Sequence, residues 1–121
     1  MKHKVCAAFL ALFFLGVAKA EALDTSNVYA YPVPFNPKYG VKLLKINTAG
    51  GAAYRKNLYV YDINGDLIFS RSYGTGDAVQ WNGRNSRGGL VKPGLYVVKI
   101  TLEDDATGDY GKKLMRILVK Y

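Results

Sequence analysis

Cysteine and histidine are almost missing from this 121-residue chain: there is one of each, Cys6 and His3, both within the first ten residues. Everything beyond residue 20 therefore lacks a thiol nucleophile, an imidazole base, a disulfide and a soft metal-ligand set. Long apolar runs are equally scarce. Only Val5 to Val17 qualifies, and its thirteen residues fall short of a comfortable transmembrane span. Past that run there is no helical periodicity, no internal repeat and no low-complexity tract. No serine stands in a nucleophile-elbow context, so chemistry by acyl transfer has no visible carrier.

The start of the chain has its own pattern. Lys2 and Lys4 precede the apolar run, and Ala18-Lys19-Ala20 follows it with the small residues a signal peptidase needs. Residues 1–20 read as a cleaved secretory signal, residues 21–27 as a flexible polar leader, and residues 28–121 as one domain. Cys6 sits early in the run, away from a lipid-attachment position. After cleavage no membrane span is expected, and 101 residues remain, enough for a single core. Seventeen Lys and Arg fall to fourteen without Lys2, Lys4 and Lys19, against nine acids, which leaves a net charge of +5. A surface of that sign suits an anionic polysaccharide or an acidic protein outside the cytoplasm. Nucleic acid is not expected of an exported chain without a basic run. Without disulfides, the domain must be held by its hydrophobic core.

What is present is concentrated between Gln80 and Ile100, QWNGRNSRGGLVKPGLYVVKI. Trp81, the one tryptophan, enters an Asn-Gly turn, and Gly88 and Gly89 permit further turning. Lys92-Pro93-Gly94-Leu95 fits a type II turn, with proline second and glycine third. Tyr96, Val98, Ile100 and Leu102 then share one face of an extended segment. Trp81 should be buried, and Tyr96 is placed to act as a tyrosine corner, its hydroxyl bonding nearby backbone.

Elsewhere the chain alternates short apolar runs with turn signals. Val28–Tyr31 reads as a first strand stopped by Pro32. The prolines at 32, 34 and 37 keep the next segment extended or looped, with Phe35 plugging one end of the core. A proline-rich docking ligand is the weaker reading, because such ligands are exposed and lack a buried aromatic. Val41–Thr48 is a strand in which either Leu44 and Ile46 or Val41 and Leu43 point inward. Residues 49–52 form a loop. Lys56–Ile63 places Leu58 and Val60 on one face and Tyr59 and Tyr61 on the other. Asn64-Gly65 suggests a type I′ hairpin to Leu67–Tyr73. Ala78–Trp81 follows, and the closing strand is Lys112–Tyr121. Six or seven strands with regular turns predict an all-β, antiparallel sandwich of the immunoglobulin-like type.

These motifs resemble a known family. WNGRNSRGGLVKPGLYVVKI is similar to the Ig-like domain of the flagellar hook-capping protein (FlgD) and its exported relatives. VYAYPVPFNP resembles the opening motif of that family, and LYVYDINGDLI its central hairpin. GLYVVKI followed by KKLMRILVK resembles the closing motifs of type IX secretion C-terminal sorting domains. The matching signature residues are Pro34, Phe35, Asn36, Pro37, Asn64, Gly65, Trp81, Gly83, Arg84, Asn85, Gly88, Pro93, Gly94 and Tyr96. Asn82 stands where the family usually has Asp, which weakens any pairing of a carboxylate with Arg84, and Val33 replaces an asparagine. The resemblance implies an Ig-like fold and a role in surface or secretion assembly. If a sorting or partner edge exists, it implies Gly94, Tyr96, Lys112, Lys113 and Lys120.

Other candidate sites are weak. Asp104, Asp105, Thr107 and Asp109 invite a calcium reading, but glycine comes too early, at Gly108, for an EF-hand-like loop. Asp62, Asp66 and Asp77 fall in or beside turns, without the burial a catalytic pair needs. No cofactor, metal or enzymatic activity is expected. Tyr59 and Tyr61 form either an ordinary sheet face or a partner- or sugar-binding one. The sequence thus predicts an exported non-enzymatic module that contacts a secretion or envelope protein, or itself, with a surface carbohydrate-binding module as the alternative. An open sheet edge at Lys112–Tyr121 is the expected point of contact.

Overall fold

A computed structural model describes residues 22–40, 42–48 and 53–121. The signal-peptide reading, Glu21, Val41 and the 49–52 loop lie outside the described residues. Seven strands form: β1 (Tyr29–Tyr31), β2 (Leu44–Asn47), β3 (Arg55–Tyr61), β4 (Leu67–Tyr73), β5 (Val79–Trp81), β6 (Gly94–Glu103) and β7 (Tyr110–Val119). They make two antiparallel sheets, ordered β1-β2-β5 and β4-β3-β6-β7. This is the β-sandwich of immunoglobulin-like type that the alternation predicts.

β3, β6 and β7 each present one apolar row to the space between the sheets, whereas β4 buries only Tyr73. Leu58 and Val60 of β3, Tyr96, Val98, Ile100 and Leu102 of β6, and Ile117 and Val119 of β7 are buried. From the opposite sheet come Leu44 and Ile46, which settles the choice left open for β2, together with Val79 and Trp81. Full burial of each such aliphatic side chain contributes about 1.5–3 kcal/mol, so this double row is the main stabilising feature. Lys56 is the exception, a lysine on the inward row that is only 1% exposed.

The two ends of the sandwich differ. At one end, here the Trp81 end, Phe35 (0% exposed), Trp81 (1%) and Tyr96 pack in sequence. Their ring centroids are 5.9 Å apart for Phe35–Trp81 and 6.0 Å for Trp81–Tyr96. Residues 62–66, 83–93 and 119–121 also gather there. At the other, the Glu103 end, residues 22–25, 74–78 and 103–110 meet.

The chain before β1 is stitched to the last strand. Leu23 N donates to Tyr110 O at 2.9 Å, and Ala22 forms a parallel bridge with Tyr110. Residues 22–27, polar by composition, therefore run along the start of β7. Past β1, Phe35 bridges Val119: Phe35 N donates to Leu118 O (2.8 Å) and its carbonyl accepts from Lys120 N (3.0 Å).

Two turns differ from their sequence reading. The β3–β4 connection is not the two-residue type I′ loop that Asn64-Gly65 suggests. Gly65 N donates to Asp62 O, closing a turn over 62–65, and Gly65 follows at φ 87° before Asp62 N pairs with Asp66 O. Asp62 explains the change, because its Oδ1 accepts from both Asn64 N (2.9 Å) and Asp66 N (3.0 Å) and widens the loop to three residues. Gly94, in turn, is not the third residue of a type II turn. It opens β6 at φ 154°, a positive value that glycine tolerates but far from that turn position, and is paired with Val119.

Candidate functional site

The signature motifs converge on the Trp81 end, and their geometry is structural. Gly83 has φ 75°, and a Cβ there would lie 2.5 Å from Pro37 Cβ and 3.2 Å from Phe35 Cε2. Only glycine lets the Asn-Gly turn seat against the Phe-Asn-Pro segment. Asn36 Oδ1 in turn accepts from Tyr39 N at 2.8 Å and Lys38 N at 3.2 Å, holding the bend after Phe35. Trp81 Nε1 donates to Arg84 O (2.9 Å), and the Arg84 guanidinium donates to Gly88 O (3.0 Å). Asn85 Oδ1 accepts from Arg87 N and Gly89 N, both at 3.0 Å. With asparagine at 82, the side chain caps locally: its Oδ1 accepts from Arg84 N at 3.1 Å. Tyr96 donates its hydroxyl to Lys92 O at 2.6 Å, four residues back, which is the tyrosine-corner bond. Burial raises its phenol above the ordinary value, helped by Tyr121 and Asp62.

The residues implied for a sorting edge do not form one cluster. Gly94, buried Tyr96 and exposed Lys120 sit at the Trp81 end. Lys112 and Lys113 sit near the Glu103 end, and Lys113 Nζ donates to Ser26 O at 3.3 Å. Eight residues of extended chain separate Lys112 from Lys120, about 26 Å.

As expected, β7 is an edge strand of the four-stranded sheet. Its outer rim is only partly open. Tyr110 O and Leu118 O are occupied by Leu23 N and Phe35 N, and Lys112 O accepts from Thr25 Oγ1 at 3.2 Å. Among the described residues, no backbone hydrogen bond reaches the rim at Leu114 and Arg116, though β1 packs beside β7 as the chain passes from Thr25 to Phe35. The far edge, β4, is polar there, with Ser70, Arg71 and Ser72, and Ser86 caps Ile68 O through both its amide (2.9 Å) and its hydroxyl (3.0 Å).

The most distinctive surface is the outer face of the four-stranded sheet. The register lines up Ser70, Tyr59, Lys99 and Leu114 in one row, and Leu67, Tyr61, Val97 and Arg116 in the next. Leu95 opposite Leu118 completes the face near the Trp81 end. Tyr59 and Tyr61 do lie on this outward side, but they are half-covered. Lys99 Nζ lies 4.6 Å from the Tyr59 centroid and 5.7 Å from that of Tyr61, a cation–π arrangement. Ile63 (75% exposed), Leu67, Leu95, Leu114 (59%) and Leu118 stand free on the same half of the face. A shallow groove of about 250 Å³, lined by Ile63, Leu95, Tyr96, Val97 and Arg116, runs through it. The cations there are Lys99, Arg116 and Lys120. Sequence reading passed over this patch because it sought one apolar face per strand. The available signal was that β6 and β7 are apolar on both faces, in LYVV and LMRILV.

The carboxylates considered for catalysis serve turns: Asp62 as above, and Asp77 by accepting from Gly74 N at 2.9 Å. In the acidic 103–109 loop, Arg55 pairs with Glu103 (3.2 Å) and Asp105 (2.9 Å). The described residues contain no group of three or more metal-ligating side chains, and no helix among them is long and apolar enough to cross a membrane.

No family model matches the chain, and no curated protein matches its sequence. Its fold is similar to part of a solved structure, dimeric latent PorU from Porphyromonas gingivalis. The TM-score is 0.54 at 16% identity, over 76% of this chain and 9% of PorU. The chain is thus a small β-sandwich domain resembling one region of a far larger protein, and at that identity the likeness shows fold alone.

Proposed function

We propose that this chain is an exported, non-enzymatic Ig-like module that works by protein–protein contact in a cell-surface or secretion assembly. The observation that carries this reading is the half-face formed by Ile63, Leu67, Leu95, Leu114 and Leu118. Five large apolar side chains exposed together, rimmed by cations, mark a surface built to be covered. β7, an edge strand of this sheet, adjoins it. The resemblance of the closing motifs to type IX sorting domains supports a secretion or envelope component as partner, and the likeness to PorU supports the β-sandwich fold alone.

The test is site-specific cross-linking in intact cells. A photoreactive residue at Leu114 or Leu118 should trap a discrete protein adduct in the envelope fraction, whereas one at Ser70, on the polar edge, should not. Retention of the chain in the cytoplasm, or equal labelling at all three positions, would overturn the proposal.

One observation favours a second reading, a carbohydrate-binding module. On β1, Tyr29 and Tyr31 are exposed, their ring centroids 5.7 Å apart and their planes at 36°. Asn47 Nδ2 donates to the Tyr29 hydroxyl at 3.1 Å. A stacking platform would sit there rather than at Tyr59 and Tyr61. Quenching of tyrosine fluorescence by a cell-wall polysaccharide, lost in Tyr31→Ala, would move the assignment to sugar.

A further inference from the structure

The register of the strands sorts the charges by end. At the Trp81 end lie Lys38, Arg84, Arg87, Lys92, Arg116 and Lys120, with only Asp62 and Asp66 against them in the described hairpins and loops. At the Glu103 end lie Asp24, Asp77, Glu103, Asp104, Asp105 and Asp109, against Arg55, Lys56, Lys112 and Lys113. A molecule that is basic overall therefore carries most of its carboxylates at one pole, six against two among the described residues. The apolar half-face and its groove lie toward the opposite, basic pole.

The acidic pole also carries a side chain that suits the groove. Tyr110 pairs with Glu103 at the start of β7, is 48% exposed and points to the outer face. The groove, about 250 Å³ with Ile63, Leu95 and Val97 for walls and Arg116 at its rim, has room for a phenol ring. Asp104 and Asp105 lie in the same β6–β7 hairpin as that tyrosine, Asp105 paired with Arg55, while Arg116 lines the groove and exposed Lys120 lies further along the same strand end.

From this complementarity we propose that the occupant of the groove is a second copy of this chain. The acidic β6–β7 tip of one molecule, led by Tyr110, docks on the apolar half-face of the next. The proposal rests on the protein-contact reading above and names the partner. The two surfaces differ, so the contact is heterologous, and successive copies join head to tail into a ring or an open strand rather than a closed two-fold dimer. A contact of ordinary size would cover about 800 Å² on each side, roughly a tenth of the 8278 Å² surface. Repulsion between like poles disfavours the head-to-head and tail-to-tail arrangements.

The experiment is sedimentation of the purified chain over a range of concentration and salt. At low salt, about 20 mM, the average mass should climb past that of a dimer as concentration rises, and it should return to monomer near about 0.5 M, where charge contacts are screened. The tip variant Asp104→Lys/Asp105→Lys and the groove variant Arg116→Glu/Lys120→Glu should each be monomeric alone. Mixed in equal amounts, they should assemble again, because the reversed tip now faces a reversed groove. Far-UV circular dichroism of each variant checks that it is folded, and Tyr110→Ala provides a second, charge-neutral variant that should weaken assembly at least tenfold. A wild-type chain that stays monomeric at low salt, or a dimer indifferent to both reversals, would overturn the proposal. Either result would leave the cross-linking test of an envelope partner standing.

Discussion

Gly83 carries two constraints at once, a φ of 75° and a backbone pressed against Pro37. Gly83→Ala would have to push Pro37 and Phe35 off the core while adopting a disfavoured conformation. We predict a loss of about 3 kcal/mol or more in urea unfolding, a large fraction of the 5–15 kcal/mol typical of a domain. Gly65→Ala, at φ 87° but in open space, should cost only about 1 kcal/mol. Lys56 poses the opposite problem. Burial drives its pKa below the ordinary lysine value, and Asp77 only partly restores it. The unfolded chain then holds its proton to higher pH than the folded one, so this residue makes stability rise with pH until both forms are neutral, past 10.5. Tyr96 acts in the other direction. Its folded phenol keeps the proton above the ordinary 10.0, so its contribution falls away as pH passes that value. Lys56→Met should raise the melting temperature at neutral pH by several degrees, about 1 kcal/mol, and flatten the climb on the alkaline side below 10.5. A melting curve that keeps its alkaline slope in the variant would show that another group is responsible.

At the scale of elements, strands were legible wherever one face is buried, because burial imposes a two-residue period that survives in the sequence. Val98, Ile100 and Leu102 gave β6, and Met115, Ile117 and Val119 gave β7. Turn chemistry was less legible, because it depended on side chains rather than on dipeptides. Asn64-Gly65 signals a two-residue loop until Asp62 binds two amides and lengthens it. Pro93-Gly94 signals a type II turn until Gly94 is drawn into pairing with Val119. The outer half-face could not be read from any single strand, since Leu95 and Leu118 become neighbours only through the β6–β7 register. A comparison within β7 tests that division. Ile117→Ala should cost about 2–5 kcal/mol, whereas Leu114→Lys and Leu118→Lys, on outward positions, should stay within about 0.5 kcal/mol of wild type. Destabilisation by Leu118→Lys equal to that of Ile117→Ala would place Leu118 in the core.

For the whole molecule, the described residues contain no cysteine, so nothing covalent ties the sheets. The melting temperature should be identical with and without reductant, and a shift of more than a degree would require a cross-link that the chain beyond residue 20 cannot supply. Stability instead comes from closure between distant parts of the sequence. Leu23 and Phe35, from the first third, are held by Tyr110 and Leu118, from the last tenth. A growing polypeptide meets this arrangement in an awkward order. As it leaves the ribosome, its early segments have no rail to settle on until β7 emerges. The sandwich consequently shuts like a clasp, only once β7 has been made. A chain cut short before residue 110 would be left as an open, protease-sensitive coil rather than a smaller version of the same domain.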